Sequence, residues 1–320
     1  MGTVSVVIVD YGTLERTKRF IDDFLAAIIF QGEINFIIVD NWDKWDADKQ
    51  KCNMGFSDSG KEYHYRDGST AKIWTVNHKT QKIYLLDSGR NNGYAKGNNL
   101  GAMFSKDILN TDYVIFSNND IQFPQKIDFK NICDVFNKYA DCFAVGPKII
   151  GIDKKLQGPV RREDSYFQAL IYPYSIFRIA CLFWHSANSM FYDNIVGIVH
   201  HTVGCFLIVN LDKFISIGLF DEHTFLYYEE DILSERGKKK NLFFYFQPGI
   251  EIIHEGGSTT KKLPSLEQKK IFFRSGVYYY QEYRNISKLK ILLAKANFYL
   301  FYVPLYWGLQ CGEKLLKRIK

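Results

Sequence analysis

Three short stretches of this chain are almost wholly apolar, and each runs straight into a carboxylate or an amide. Val4 to Val9 ends at Asp10-Tyr11-Gly12, Ile34 to Val39 ends at Asp40-Asn41, and Tyr113 to Phe116 ends at Ser117-Asn118-Asn119-Asp120. A strand with one face in water alternates apolar and polar side chains, whereas a strand covered on both faces does not. These runs therefore predict buried strands of an α/β sheet. Between the first two, Phe20, Phe24, Leu25 and Ile28 recur at helical spacing, which predicts a helix from Thr13 to about Phe30. Strand, helix, strand is a βαβ unit and opens a parallel sheet.

The alternation continues. Ile83 to Leu86 predicts another short strand, followed by the loop Asp87 to Gly93 and a helix from Tyr94 to Leu109. Gly93, Gly97 and Gly101 fall four apart and share one helix face, which permits close approach to a sheet or a ligand. Lys96, Asn98 and Asn99 interleave them, so an apolar membrane-dimerisation face is excluded. Ile127 to Tyr139 predicts a helix and Cys142 to Val145 a strand. Residues 42–82 are polar and glycine-containing and are expected to form an irregular insertion with one hairpin. In open α/β sheets ligands gather outside the carboxyl ends of the strands. One polar strand end is ordinarily a helix cap. Four in succession, at Asp10, Asp40, Asn91-Asn92 and Asn118 to Asp120, describe one crevice able to hold a divalent cation and a diphosphate.

A net charge of +6 is spread along the chain. That excess suits a phosphate-bearing substrate or an anionic membrane surface and is too diffuse for nucleic acid. The six cysteines form no C-x-x-C pair, which argues against a zinc site or disulfide scaffold and for a reducing compartment. The N-terminal run stops at Asp10 and lacks a preceding basic segment, so no secretory leader is expected.

Taken in order, the strand ends and the motifs of the second half resemble family 2 glycosyltransferases of the GT-A fold, in particular their bacterial rhamnosyltransferase-like branch. The first-half motifs are Val9-Asp10-Tyr11, Val39-Asp40-Asn41, Asn91-Asn92-Gly93-Tyr94 with Gly97-Asn98-Asn99, and Asn118-Asn119-Asp120. The second-half motifs are Val203 to Ile208, Gly218 to Glu222, Phe225 to Asp231, Arg236, and His254 to Ser258. The likeness spans roughly residues 3–260. It implies a GT-A-like, Rossmann-type nucleotide-sugar-binding sheet with helices on both faces. A catalytic domain over 1–265, with a nucleotide-binding half (1–150) and an acceptor half (151–265), would precede a C-terminal helical segment, 266–320.

The resemblance implies transfer of a sugar from a UDP- or dTDP-type donor to a glycan acceptor, as in capsule, O-antigen or other cell-surface polysaccharide synthesis. Asp10, Tyr11, Asp40, Asn91, Asn92, Gly93, Lys96, Asn98, Asn118 and Asn119 would bind the donor. Asp120 and His254 would hold Mg²⁺ or Mn²⁺, offsetting charge on the departing diphosphate. An acceptor hydroxyl must lose a proton as it attacks, and a carboxylate is the usual recipient. The family pattern Glu-Asp-x-Asp-Leu-x-x-Arg, aligned without a gap, matches Leu233 and Arg236 and puts Glu230 on the base position. A one-residue slip selects Asp231 instead, and Glu229 precedes both. Successive helix positions point about 100° apart, so the three acids cannot share one role. A single base without an evident nucleophile implies inversion.

Arg161 and Arg162 form a basic turn that either meets a diphosphate or charged acceptor or is solvated surface. Phe167 to Trp184 is aromatic and apolar, an acceptor-side lid or simply core. Ile271 to Tyr283 predicts a helix, and Ile291 to Leu309 is apolar but interrupted by Lys295 and Pro304 before the basic tail Lys314, Lys317, Arg318 and Lys320. Aromatic and basic residues together suit a membrane interface, so a cytoplasmic protein peripheral to the inner membrane, acting on a lipid-linked acceptor, is expected. The alternative for this segment is a helical pair packed on the catalytic domain or on a second copy. Rival functions are a non-catalytic nucleotide-sugar-binding module and a sugar nucleotidyltransferase. The latter should carry a glycine-rich, arginine-containing loop after the first strand, and Asp10 to Leu14 does not.

Overall fold

A computed structural model describes residues 2–44, 47–79, 81–175, 196–256 and 265–308. The chain opens with β1 (Val4–Asp10), α1 (Leu14–Ala27), the two-residue β2 (Ile28–Ile29) and β3 (Ile34–Asp40). Helix α1 stops short of Phe30 because Ile28 turns extended and the β-branched pair Ile28-Ile29 joins a small second sheet. The supposedly irregular stretch after β3 holds α2 (Ala47–Asn53) and a long hairpin of β4 (Ser57–His64) and β5 (Thr70–His78). Its polarity has a physical cause: β4 is an edge strand, exposed along nearly all its length, with charged residues and a bulge between Asp58 and Lys61. Such features keep an edge from pairing with another chain.

Next come β6 (Gln81–Asp87), α3 (Gly93–Asp107), β7 (Tyr113–Ser117), the short β8 (Ile121–Gln122) and β9 (Ile127–Asp128), then α4 (Lys130–Lys138). Strand β10 (Cys142–Gly151) runs on past Val145 by way of a register shift at Pro147, since proline is tolerated in a sheet where the ladder is broken. The remaining elements are β11 (Gly197–Val199), β12 (Phe206–Asn210), α5 (Leu211–Ser216), α6 (Glu229–Lys238), β13 (Phe243–His254), α7 (Ser265–Glu282) and α8 (Lys288–Ala296).

Eleven strands form one mixed sheet in the order β11-β13-β10-β12-β7-β1-β3-β6-β5-β4, with β8 pairing β13. The centre is parallel: β1 lies between β3 and β7, and Asp10 stands beside Asp40. Side chains leave the central strands alternately into two cores. Val4, Val6, Ile8, Phe36 and Ile38 meet Phe20 and Phe24 of α1 on one face. Val7, Ile37 and Val39 meet Leu100 and Phe104 of α3 on the other. Covering both faces is what makes these strands apolar throughout. The glycine face of α3 lies against the sheet: a Cβ on Gly101 would sit 2.4 Å from Val7 Cγ1, and one on Gly97 2.9 Å from Val9 Cγ2.

A third apolar cluster packs α7 and α8 on the body of the protein. It joins Phe273, Tyr279 and Phe298 to Leu170, Tyr174 and to Tyr228 and Ile232 at the start of α6, with the Phe273 and Phe298 rings stacked at 4.1 Å. Of the aromatic stretch near 170, Ala169, Leu170 and Tyr174 are core while Phe167 and Tyr172 are exposed; its continuation to Trp184 lies outside the described residues, as does the basic tail. The apolar run from Ile291 breaks into α8, a wider π turn at Asn297–Tyr302 and a last helical turn. Among the described residues no helix is long and apolar enough to cross a membrane.

Candidate active site

A cavity of about 390 Å³ opens at the carboxyl ends of the central strands. Its floor is built by Ser117, Asn118, Asn119 and Asp120 as β7 leaves the sheet, and one wall by Asn91, Gly93 and Asn98 around the start of α3. Val203 to Cys205, Phe225 to Tyr227, and Glu229 and Glu230 line the rest of it. His254 lines it beside Asp120, and Tyr11 and the buried Asn41 also contribute to the lining.

Register explains the Asp120–His254 pair. Strand β8 lies antiparallel to the end of β13, with His254 opposite Ile121, so the ring falls beside the preceding residue, Asp120. His254 Nε2 is 3.3 Å from Asp120 Oδ1 and 3.5 Å from Asn118 Nδ2. Its Nδ1 is 2.7 Å from Gln157 Oε1. An amide oxygen accepts only, so Nδ1 donates to it and Nε2 is the nitrogen turned toward Asp120. A carboxylate oxygen and an imidazole nitrogen converging at this distance, the imidazole oriented through its other nitrogen, are a fitting partial ligand set for a divalent cation. The basic turn Gln157 to Arg162 thus contributes its first residue; Arg161 and Arg162 are exposed and do not line the cavity.

Asp10 and Asp40 stand side by side at the strand ends but behind the cavity wall. Asp10 is fully buried and accepts from Thr13 N and Oγ1, from Thr17 Oγ1 and from Asn119 Nδ2. Burial pushes its carboxyl above the ordinary carboxylate range despite these donors. Its visible role is to brace Asn119, whose amide also reaches Thr13 and Thr17. Asp40 accepts from Trp42 N and pairs at 3.3 Å with the fully buried Lys51 of α2, which also reaches Asp87 at 2.5 Å. Burial raises Asp40 to about 6, with the Trp42 amide and Lys51 pulling the other way. Lys51 sits in the segment that looked irregular, so nothing nearby in the sequence marked it.

Asn92 is likewise a loop builder, donating to Ser88 Oγ and receiving from Arg90. Lys96 is paired with Asp67 in the hairpin turn. Gly93 has φ +72°, and a Cβ there would lie 2.7 Å from the Phe225 carbonyl oxygen, to which Tyr94 N donates at 3.0 Å. Only glycine suits that approach.

The three acids of α6 diverge. Glu230 Oε1 accepts the Gly204 amide at 2.7 Å at the cavity wall. Gly204 has no room for a side chain, since a Cβ would sit 2.3 Å from that oxygen, and its carbonyl accepts from Tyr94 Oη at 2.7 Å. Burial pushes Glu230 up, opposed by the neighbouring His201. Glu229 also lines the cavity; burial and then the Glu230 charge push it well above the usual range, and its Oε1 is buried without a hydrogen-bond partner. Asp231 points the other way, toward His200 and His201. Burial alone would raise Asp231, but His201 and then His200 hold it far below the usual range. Burial likewise opposes charge on His201, yet Asp231 lifts it to about 9. Tyr227 and Tyr228, at φ +75° and +70°, turn the chain sharply into α6, an unusual backbone for bulky residues. Arg236 stays away from the cavity; it grips Asp221 and the Gly218 and Leu219 carbonyls.

No family model matches the chain. Its structure is similar to that of GalNAc-T7 with UDP, GalNAc and Mn²⁺ (TM-score 0.55, 14% identity, 89% of this chain and 49% of that one). It is also similar to that of the mannosyltransferase PcManGT from Pyrobaculum calidifontis with GDP-Man and Mn²⁺ (TM-score 0.50, 11% identity, 92% and 68%). The chain has the GT-A glycosyltransferase fold. In sequence it is 23% identical over 275 residues to the low-salt glycan biosynthesis hexosyltransferase Agl10 of Haloferax volcanii, covering 86% of this chain and 74% of that protein.

Proposed function

We propose that this chain is an inverting, metal-assisted glycosyltransferase that moves a sugar from a nucleotide-diphosphate donor to a hydroxyl of a glycan acceptor. The observation that carries the reading is that one cavity is lined both by the Asp120–His254 pair and by Glu230. Asp120 and His254 would hold Mg²⁺ or Mn²⁺, which supplies charge neutralisation at the leaving diphosphate. Asn91, Asn98 and Asn118 orient the donor by hydrogen bonds. Glu230 takes the acceptor proton: burial makes its carboxylate a better proton acceptor than a solvated one, and the Gly204 amide fixes its direction. Asp231 is a weaker candidate, since its carboxylate is held by two histidines and its proton affinity is lowered. A donor of the UDP or dTDP type and a capsule- or O-antigen-like acceptor follow from the rhamnosyltransferase-like motifs. The name of Agl10, a glycan biosynthesis hexosyltransferase, fits a glycan product, and the two similar structures hold UDP and GDP-Man, each with Mn²⁺.

The test is a thermal-shift screen of UDP-, dTDP- and GDP-sugars with and without Mn²⁺. A ligand that binds only the folded state at 100 times its Kd stabilises it by about 2.7 kcal/mol. A cation-dependent rise in Tm with at least one donor is expected; no rise with any of them would remove the nucleotide-sugar reading.

We also propose that the C-terminal segment rests on an anionic membrane, in keeping with a lipid-linked acceptor. Leu289, Leu292, Leu293, Leu300, Phe301 and Trp307 are exposed, and Lys288, Lys290 and Lys295 are exposed among them. Apolar area and basic charge together make the two-part signal of a peripheral anchor. Cosedimentation with phosphatidylglycerol vesicles is expected, weakened by salt and lost in Leu292→Asp with Phe301→Asp. A full-length protein that stays in the supernatant at low salt contradicts the idea.

A further inference from the structure

His200, His201 and Asp231 bring one ligand atom each to within 4.8 Å of one another. They come from two elements: the histidines from the turn before β12, the carboxylate from α6. Both His200 Nε2 and His201 Nε2 face the same oxygen, Asp231 Oδ1, at 3.3 and 3.5 Å. Charge-assisted N–H···O bonds ordinarily close to ~2.7–2.9 Å. A spacing of ~3.3–3.4 Å is instead the edge of a tetrahedron with bonds of ~2.0–2.1 Å, the ligand shell of zinc.

The far ring nitrogens are oriented as metal-bound histidines require. His201 Nδ1 lies 3.0 Å from the Thr202 carbonyl oxygen, which can only accept, so Nδ1 donates there and Nε2 is the nitrogen left to meet a metal, its proton released as the metal binds. His200 Nδ1 lies 3.0 Å from Ser234 Oγ, which can accept its proton; Lys238 Nζ is farther, at 3.3 Å, and is bound at 2.6 Å to Glu235. Hydrogen bonds of this kind set which nitrogen meets the metal. Glu230 and Asp164 add negative charge beside Asp231. The nearby cations Arg284 and Lys238 are taken up by Glu163 and Glu235. The histidine side chains are 4% and 10% exposed and Asp231 22%, so one side admits a water as fourth ligand.

We propose that His200, His201 and Asp231 form a second divalent-metal site, of tetrahedral transition-metal type, separate from Asp120 and His254. It clamps the turn carrying Gly204 to the helix carrying Glu230, and so holds the cavity wall in place. The proposal does not depend on the glycosyltransferase reading. The test uses the full chain, stripped with a chelator and titrated with Co²⁺, whose tetrahedral complexes absorb strongly in the visible and whose octahedral ones do not. One equivalent giving the strong band is expected in the wild type and in an Asp120→Asn, His254→Ala double variant. The band should be lost in His201→Gln and in Asp231→Asn. Their Co²⁺ affinity should fall by more than the ~10–100-fold that loss of a group hydrogen-bonded to a ligand costs. Circular dichroism checks that the variants fold; should they not, the wild-type and double-variant titrations decide alone. No strong band in the wild type, or a band that survives in folded His201→Gln, overturns the proposal and leaves the cluster a buried ion pair.

Discussion

Glu230→Gln is expected to lower kcat by about 10²–10⁴-fold, the usual contribution of a positioned general base, while donor affinity stays near wild type. The substitution is nearly isosteric. The amide oxygen of the variant can still accept the Gly204 N–H that Glu230 Oε1 now takes at 2.7 Å, so the wall keeps its shape. What disappears is the capacity to take a proton. The split between kcat and binding separates this role from a structural one: a residue that merely braces the wall would cost donor affinity and stability together. Steady-state transfer assays with a donor thermal shift measure both. Near wild-type turnover in Glu230→Gln would remove Glu230 from the reaction. If Asp231→Asn instead lost turnover with donor affinity intact, the base would move one residue along the helix.

Asp120→Asn is expected to lower kcat by about 10²-fold or more. A cation on a departing phosphate is worth several kcal/mol, and ~1.4 kcal/mol is a tenfold change in rate. The change removes a negative charge while preserving shape, and leaves His254 Nε2, 3.3 Å away, as the remaining ligand of the pair. Two signatures accompany the loss: the Mn²⁺-dependent part of the donor thermal shift vanishes, and raising Mn²⁺ partly restores activity. His254→Ala should behave alike. An Asp120→Asn protein whose activity keeps the wild-type Mn²⁺ dependence would contradict this assignment.

The central strands were legible because burial on both faces writes itself into the residues: Val6 and Ile8 face one core, Val7 the other, and the run stays apolar. The hairpin β4–β5 was not, because an edge strand is solvated and its residues look like loop. At the site, the order of polar strand ends located the crevice, but strand position does not say which way a terminal side chain turns. Asp10 and Asp40 turn back into hydrogen bonds and the buried Lys51, while Asn41, beside Asp40, reaches the cavity. The three consecutive acids pointed to a site without choosing among themselves; that choice depends on what faces each one, Gly204 for Glu230 and two histidines for Asp231. Gln157 and His201 had no local signal, since their partners lie 97 and 30 residues away in sequence.

The most direct measurement is anomalous diffraction at the manganese edge from crystals of the protein with Mn²⁺ and the donor that gives the largest thermal shift. A peak bound by Asp120 and His254 is expected, with the donor's two phosphates on it and the anomeric carbon facing Glu230. A donor that binds outside this cavity, or a donor complex with no manganese peak at Asp120 and His254, would contradict this expectation.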